Sequence, residues 1–205
     1  MNILTLAAST TQTIRKIFAE SIAAKRVFLR EHGSRIGPVA ELIAARFGEG
    51  SKLLLFGNGG SAADAQHLAA ECTTRFMIER PPLPAIALTT DTSALTSIAN
   101  DYGYEKTFSK QVEALGRSGD VAMAFSTSGN SANVLRGVDA CRRLGIHTVG
   151  LTGGTGGKLR GLVDHWLNVS ATREAARIQE THILIGHVIC QLVDAALHGG
   201  GRKQK

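Results

Sequence analysis

Apolar residues recur along this chain in two rhythms, and the rhythm changes near residue 50. From Thr10 to Glu31, Ile14, Ile17, Phe18, Ile22 and Phe28 return at steps of three and four, the spacing that lines one face of a helix. A second helical pattern runs from Pro38 to Phe47. Short apolar runs follow at Lys52–Phe56, Ala85–Leu88, Val121–Phe125, His147–Leu151 and Val163–Val169, and they predict five strands. Between and after them, helical patterns cover Ser61–Thr73, Thr92–Ala99, Phe108–Leu115, Ala132–Leu144 and Arg173–Leu197. Strands apolar on both faces, alternating with helices, predict an α/β fold: a parallel sheet with helices on both faces and an N-terminal helical arm.

A sheet of this kind binds ligands at the carboxyl ends of its strands, so the loops that follow the strands carry the candidate chemistry. After the first strand comes GNGGSAADAQHLAAE, Gly57 to Glu71. Asn58, Gly59 and Gly60 lead into Ser61, expected to cap the next helix, where free amides and the helix dipole favour an anion. The loop also meets a relaxed dinucleotide pattern, but no acid ends the second strand at the required distance. After the third strand, STSGNSANV supplies Ser126, Thr127, Ser128 and Ser131 ahead of another helix. Four hydroxyls at one strand end suit a phosphate monoester, whose oxygens accept several hydrogen bonds without a fixed cation. The loop after the fourth strand, TGGTGGK, reads as flexible and poor in chemistry.

His67 and Glu71 stand one helical turn apart and project from the same face. On the last helix Gln179, Glu180, His182 and His187 interrupt a stretch that is otherwise apolar. Taken alone, His187 reads as a core histidine. Gln179 and His187 are separated by about 12 Å of rise and about 80° of rotation, so they meet only if their side chains lean together. With His67 and Glu71 they would form a two-nitrogen, two-oxygen set suited to zinc, a set that spacing permits and does not require.

Composition narrows the choice. The chain has 205 residues, 43% hydrophobic and 20% charged, which excludes disorder, a fibrous repeat or a coiled coil as the whole molecule. We divide it into helices at 1–50, a sheet domain at 51–198 and a flexible basic tail at 199–205. The formal charge of +6 is spread along the chain, apart from Arg202–Lys205, and fits attraction for a small anion better than a nucleic-acid surface. Cys72, Cys141 and Cys190 have neither disulfide-framework nor CxxC spacing, which favours a reduced, cytoplasmic setting. No signal peptide and no apolar stretch of about 18 residues is expected, hence no membrane span.

The stretches FGNGGSAADAQHLAAE, IANDYG, GDVAMAFSTSGNSANV, LTGGTGG and RIQETHILIGH, in this order, resemble the sugar isomerase (SIS) domain family and, within it, the bacterial phosphoheptose isomerases. The resemblance spans nearly the whole chain. It implies a five-stranded flavodoxin-like sheet in a homotetramer, with the N-terminal helices between subunits. It further implies substrate contacts from Asn58, Gly59, Gly60, Ser61, Glu71, Asn100, Asp101, Ser126, Thr127, Ser128, Ser131 and Gln179. Zinc, one per subunit, would sit on His67, Glu71, Gln179 and His187. The implied reaction converts sedoheptulose 7-phosphate to D-glycero-D-manno-heptose 7-phosphate, an early step toward lipopolysaccharide heptose, with Glu71 and His187 as base and acid. The family also holds a non-enzymatic relative that binds the replication initiator and resembles AQHLAA, ERPPLPAIALTTD and QVEALGRSGDV here. That relative lacks the acid and the histidine at the positions of Glu71 and His187. A sugar-phosphate sensor is a third reading. Ala176 stands where some isomerases carry an acidic residue, so Arg75 or a neighbouring subunit is expected to help orient the sugar.

Overall fold

The structure is a computed structural model that describes residues 3–199, with side chains from Ser9 onward. Helices α1 (Ile3–His32) and α2 (Ile36–Gly48) precede β1 (Leu53–Gly57). There follow α3 (Gly60–Thr73), β2 (Ala85–Ala87), α4 (Thr92–Tyr102), α5 (Thr107–Leu115), β3 (Val121–Ser126), α6 (Ala132–Arg143), β4 (His147–Gly153), β5 (His165–Val169) and α7 (Ala175–His198). The expected elements all form; α1 begins seven residues before the expected Thr10, and the other ends shift by three or fewer. The basic tail expected at 199–205 lies, from residue 200 on, outside the described residues.

The five strands pair in parallel in the order β2-β1-β3-β4-β5. The chain steps outward from β1 to β2, then returns across β1 to begin β3. The loops after β1 and β3 therefore part from each other and leave a crevice at the carboxyl edge of the sheet. Period-two alternation builds a core on each face. Leu53, Leu55, Val121, Met123 and Phe125 pack against α1, α2, α3 and α7, through Phe28, Val39, Ile43, Leu68, Ile185 and Ile189 among others. Leu54, Phe56, Ala122 and Ala124 point the other way, onto Phe108 and Val112 of α5 and Val134 and Val138 of α6. Ala24, Phe28 and five buried residues of α2 belong to the first of these cores, so the leading helices share the core of the sheet.

Helix α1 nevertheless keeps a second face in the open. Ile14, Ile17, Phe18, Ile22 and Leu29 are exposed, Phe18 and Leu29 by about two thirds (67% and 69%). Helix α7 needs a correction of the sequence reading: it is long and apolar enough to meet a length-and-composition test for a membrane span. Here it packs against α1, α2 and α3 and buries Ile178, Ile185, Ile189 and Val193 in the core. The core histidine of this helix is His182, not His187. Its ring is fully buried, Nε2 lies 3.0 Å from the Thr152 carbonyl, and burial pushes its pKa down to about 4. A carbonyl only accepts, so that nitrogen carries the proton and donates it.

Candidate active site

The chain leaves β1 through a turn that only small residues allow. A Cβ at Gly57 would lie 2.9 Å from both the Phe125 carbonyl and the Ser61 side chain, and Gly59 has φ +57°. Gly59, not Ser61, stands at the N-cap of α3. Ser61 is already inside the helix and buried, and its amide donates to the Asn58 carbonyl. The amides of Ala62 and Ala63 likewise turn back to Gly59. The anion site expected at this helix start is thereby reduced, and hydroxyl donors gain weight.

Asn58 is held in a reciprocal amide pair with Asn133 of α6, both hydrogen bonds at 2.8 Å, and its Oδ1 also accepts from the Tyr104 hydroxyl at 2.9 Å. Both lone pairs of that oxygen are used, so a ligand can be offered only the remaining N–H. Asn133 and Tyr104 were not anticipated. Asn133 lies inside a motif already singled out, and its place in the first helical turn was the available signal.

In the loop after β3, two of the four hydroxyls meet. Ser126 is buried and its Oγ lies 3.1 Å from Ser131 Oγ. Ser131 stands at the N-cap of α6 without capping it, which leaves its hydroxyl to pair with that of Ser126. Thr127 and Ser128 line an open cleft of about 400 Å³ together with Gly153, Gly154, Thr155 and Arg173.

The glycine loop after β4 is not the idle segment its composition suggested. Gly153 N donates to Thr127 O, Leu159 N to Gly129 O, and Lys158 N to Asn130 Oδ1, at 3.0, 3.0 and 3.1 Å. Gly129, at φ +65°, lies so close that an added Cβ would sit 1.9 Å from the Gly156 carbonyl. The two loops are keyed together backbone to backbone, and residues 153–159 fix the shape of the hydroxyl loop.

On α3, Gly60, Asp64, His67 and Glu71 recur at the spacing of one helix face, and this face meets α7. Gly186 allows the close approach, because a Cβ there would meet Leu68 at 2.4 Å. His67 Nε2 lies 2.9 Å from His187 Nε2 and 3.1 Å from Glu71 Oε1. Phe76 stacks on the His187 ring at 5.3 Å. Gln179 lies at the head of the same face, its amide against Gly60, where a Cβ would come within 2.6 Å of Oε1. Asp64, between them, has a carboxyl that burial pushes up to about 6 and an Oδ2 without a partner among the described residues.

Three lone-pair atoms thus converge from His67, Glu71 and His187, all within 4.8 Å of one another. Tetrahedral zinc, with bonds near 2.0–2.1 Å to nitrogen, sets its ligand atoms about 3.3 Å apart. The observed 2.9 and 3.1 Å are close to that spacing, and the donor set fits a metal ion. Asn100 and Asp101 stand elsewhere, exposed at the end of α4 and hydrogen-bonded to each other at 2.8 Å. Arg75 is exposed as well and reaches Glu79 rather than the crevice.

The SIS domain family model matches residues 17–153. A phosphoheptose isomerase of Aquifex aeolicus is 52% identical over 183 residues, 89% of this chain and 95% of that protein. One from Thermodesulfovibrio yellowstonii is 50% identical over 90% of this chain and 91% of its own length. The solved phosphoheptose isomerase of Neisseria gonorrhoeae superposes with a TM-score of 0.86 at 47% identity, covering 91% of this chain and 99% of that one.

Proposed function

The chain belongs to the SIS domain family, and from that premise we propose that its crevice carries out the reaction named by its relatives, phosphoheptose isomerisation. It is an aldose–ketose isomerase interconverting sedoheptulose 7-phosphate and D-glycero-D-manno-heptose 7-phosphate. The observation that carries this reading is the meeting of the Glu71 carboxylate and the His187 imidazole at His67, between two helices whose first turns meet at Gly60 and Gln179, next to the Gly153 contact with Ile178 and Thr127.

Isomerisation moves one proton between neighbouring carbons and a second between their oxygens. Ser126, Thr127, Ser128 and Ser131 grip the phosphate, and the interlocked loops keep those donors in place before substrate arrives. Asn58, Gly59, Gly60, Ser61 and Gln179 border the sugar chain on the α3 side; Asn100 and Asp101, exposed at the end of α4, would have to turn from each other to meet it. Glu71 Oε1 is turned to His67, which leaves Oε2 to take the carbon proton and return it to the neighbouring carbon. His187 moves the oxygen proton as the ene-diol forms and collapses. A metal fits His67, Glu71 and His187; Gln179, whose amide lies against Gly60, would have to swing toward them to serve as the fourth ligand, and zinc would suit the set and supply Lewis-acid stabilisation of the developing oxyanion.

Residues 51–198 hold the chemistry in this reading, and the helices before them serve a homotetramer. The exposed stripe Ile14, Phe18, Ile22 and Leu29 is the surface we assign to subunit packing. Three free, buried cysteines fit a cytoplasmic enzyme, and the product would feed lipopolysaccharide heptose. The initiator-binding and sensor readings are disfavoured, because neither needs a carboxylate and an imidazole gathered beside the crevice.

The test is incubation of metal-replete protein with sedoheptulose 7-phosphate in deuterated water, followed by proton NMR. Aldose signals, with or without deuterium beside the new aldehyde, support the reading. An unchanged ketose spectrum rejects it.

A further inference from the structure

Behind the cluster, Arg80 lies buried with its guanidinium divided between two helices. Its Nη2 donates to the Glu71 carbonyl and its Nη1 to the Cys72 carbonyl, both at 2.8 Å. These belong to the last turn of α3, where helix carbonyls lose their intrahelical partners. Its Nε donates to Asp194 Oδ1 on α7 at 2.6 Å, with both side chains at least 96% buried. Asp194 follows His187 by seven residues, two turns along the same face of α7. One planar group therefore joins the peptide of Glu71 to the helix that carries His187.

A buried ion pair is a poor way to gain stability, since apolar residues of similar size often serve as well or better. What the fork supplies is geometry: three directed hydrogen bonds fix both the rotation and the height of the end of α3 against α7. We infer that Arg80 and Asp194 are positioning residues that set the Glu71 carboxylate against the His187 imidazole. The inference rests on the isomerase reading above. Neither residue touches substrate, so turnover should suffer while the hydroxyl loop keeps its grip on the phosphate.

The experiment compares wild type, Arg80→Lys and the double variant Arg80→Met/Asp194→Leu, reading kcat, KM, thermal stability and Zn²⁺ affinity by chelator competition. The double variant is expected to melt near wild type, because the whole pair is replaced and no charge is left unpaired. Its kcat should fall about 100-fold with KM within about twofold. Its Zn²⁺ affinity should weaken by about 10-fold or more. Arg80→Lys keeps the charge beside Asp194 but cannot span both carbonyls, and should recover part of the lost kcat. Wild-type kcat and Zn²⁺ affinity in a folded double variant would overturn the clamp, as would a loss confined to KM. If the double variant does not fold, Arg80→Lys decides: kcat equal to wild type overturns the inference, and reduced kcat at unchanged KM supports it. Absence of turnover in wild type itself would overturn the isomerase reading and the clamp with it.

Discussion

Replacing His182 with glutamine should change how stability depends on pH more than it changes stability at neutrality. The ring is fully buried, and burial lowers its pKa from the ordinary 6.5 to about 4. The unfolded chain therefore takes up a proton below pH 6.5 that the folded chain refuses until about pH 4. Stability from this group is intact above 6.5 and drains away as the pH falls toward 4. A displacement of this size corresponds to about 3 kcal/mol when complete, of which about 2 kcal/mol is lost between pH 7.5 and 5. Glutamine can still offer an N–H to the Thr152 carbonyl and does not titrate. Urea unfolding at fixed protein concentration, run at pH 7.5, 6, 5 and 4.5, would read the difference between variant and wild type. The variant should lose about 2 kcal/mol less than wild type over the interval from 7.5 to 5. Parallel stability curves would refute the assignment of a neutral, buried imidazole at this position.

Glu71→Gln should cut turnover by about 100- to 10,000-fold, the usual share of a general base, with an unchanged circular dichroism spectrum and melting point. Gly60→Ala should push the Gln179 amide away, since the new Cβ would lie 2.6 Å from Oε1. Steady-state kinetics should show impaired turnover with little change in melting temperature, because a side-chain tip can yield. Gly129→Ala should cost about 1–3 kcal/mol or more, as φ +65° and a carbonyl 1.9 Å from the new Cβ leave no room, and should raise KM for the phosphorylated substrate. Phe18→Glu should shift the protein to a smaller species in light scattering if the α1 stripe packs between subunits.

The period-two and three-to-four rhythms made the fold legible, because they report burial directly. Leu53 and Leu54 point to opposite cores as alternation requires, and the stripe on α1 appears where Ile14, Phe18 and Ile22 placed it. The hydroxyl loop was legible for a different reason: Ser126 and Ser131 belong to one short segment, so their meeting is local. What escaped was long-range. Helix spacing allowed His67 and His187 to meet, yet only the approach of α3 to α7 at Gly186 brings their nitrogens to 2.9 Å. The Asn58–Asn133 pair joins residues 75 positions apart, and nothing in either neighbourhood announces the other. Ser61 shows the opposite failure. A good capping residue was outbid by Gly59, because the turn needed a positive φ before it needed a side-chain acceptor.

The keyed glycine loops tie together two stretches of chain that are 27 residues apart at Gly129 and Gly156. Neither stretch can gain or lose a residue alone without opening the other, so natural variation in this crevice should come as paired changes in both. The end of α4, where Asn100 bonds to Asp101, stands outside that lock and can vary without it.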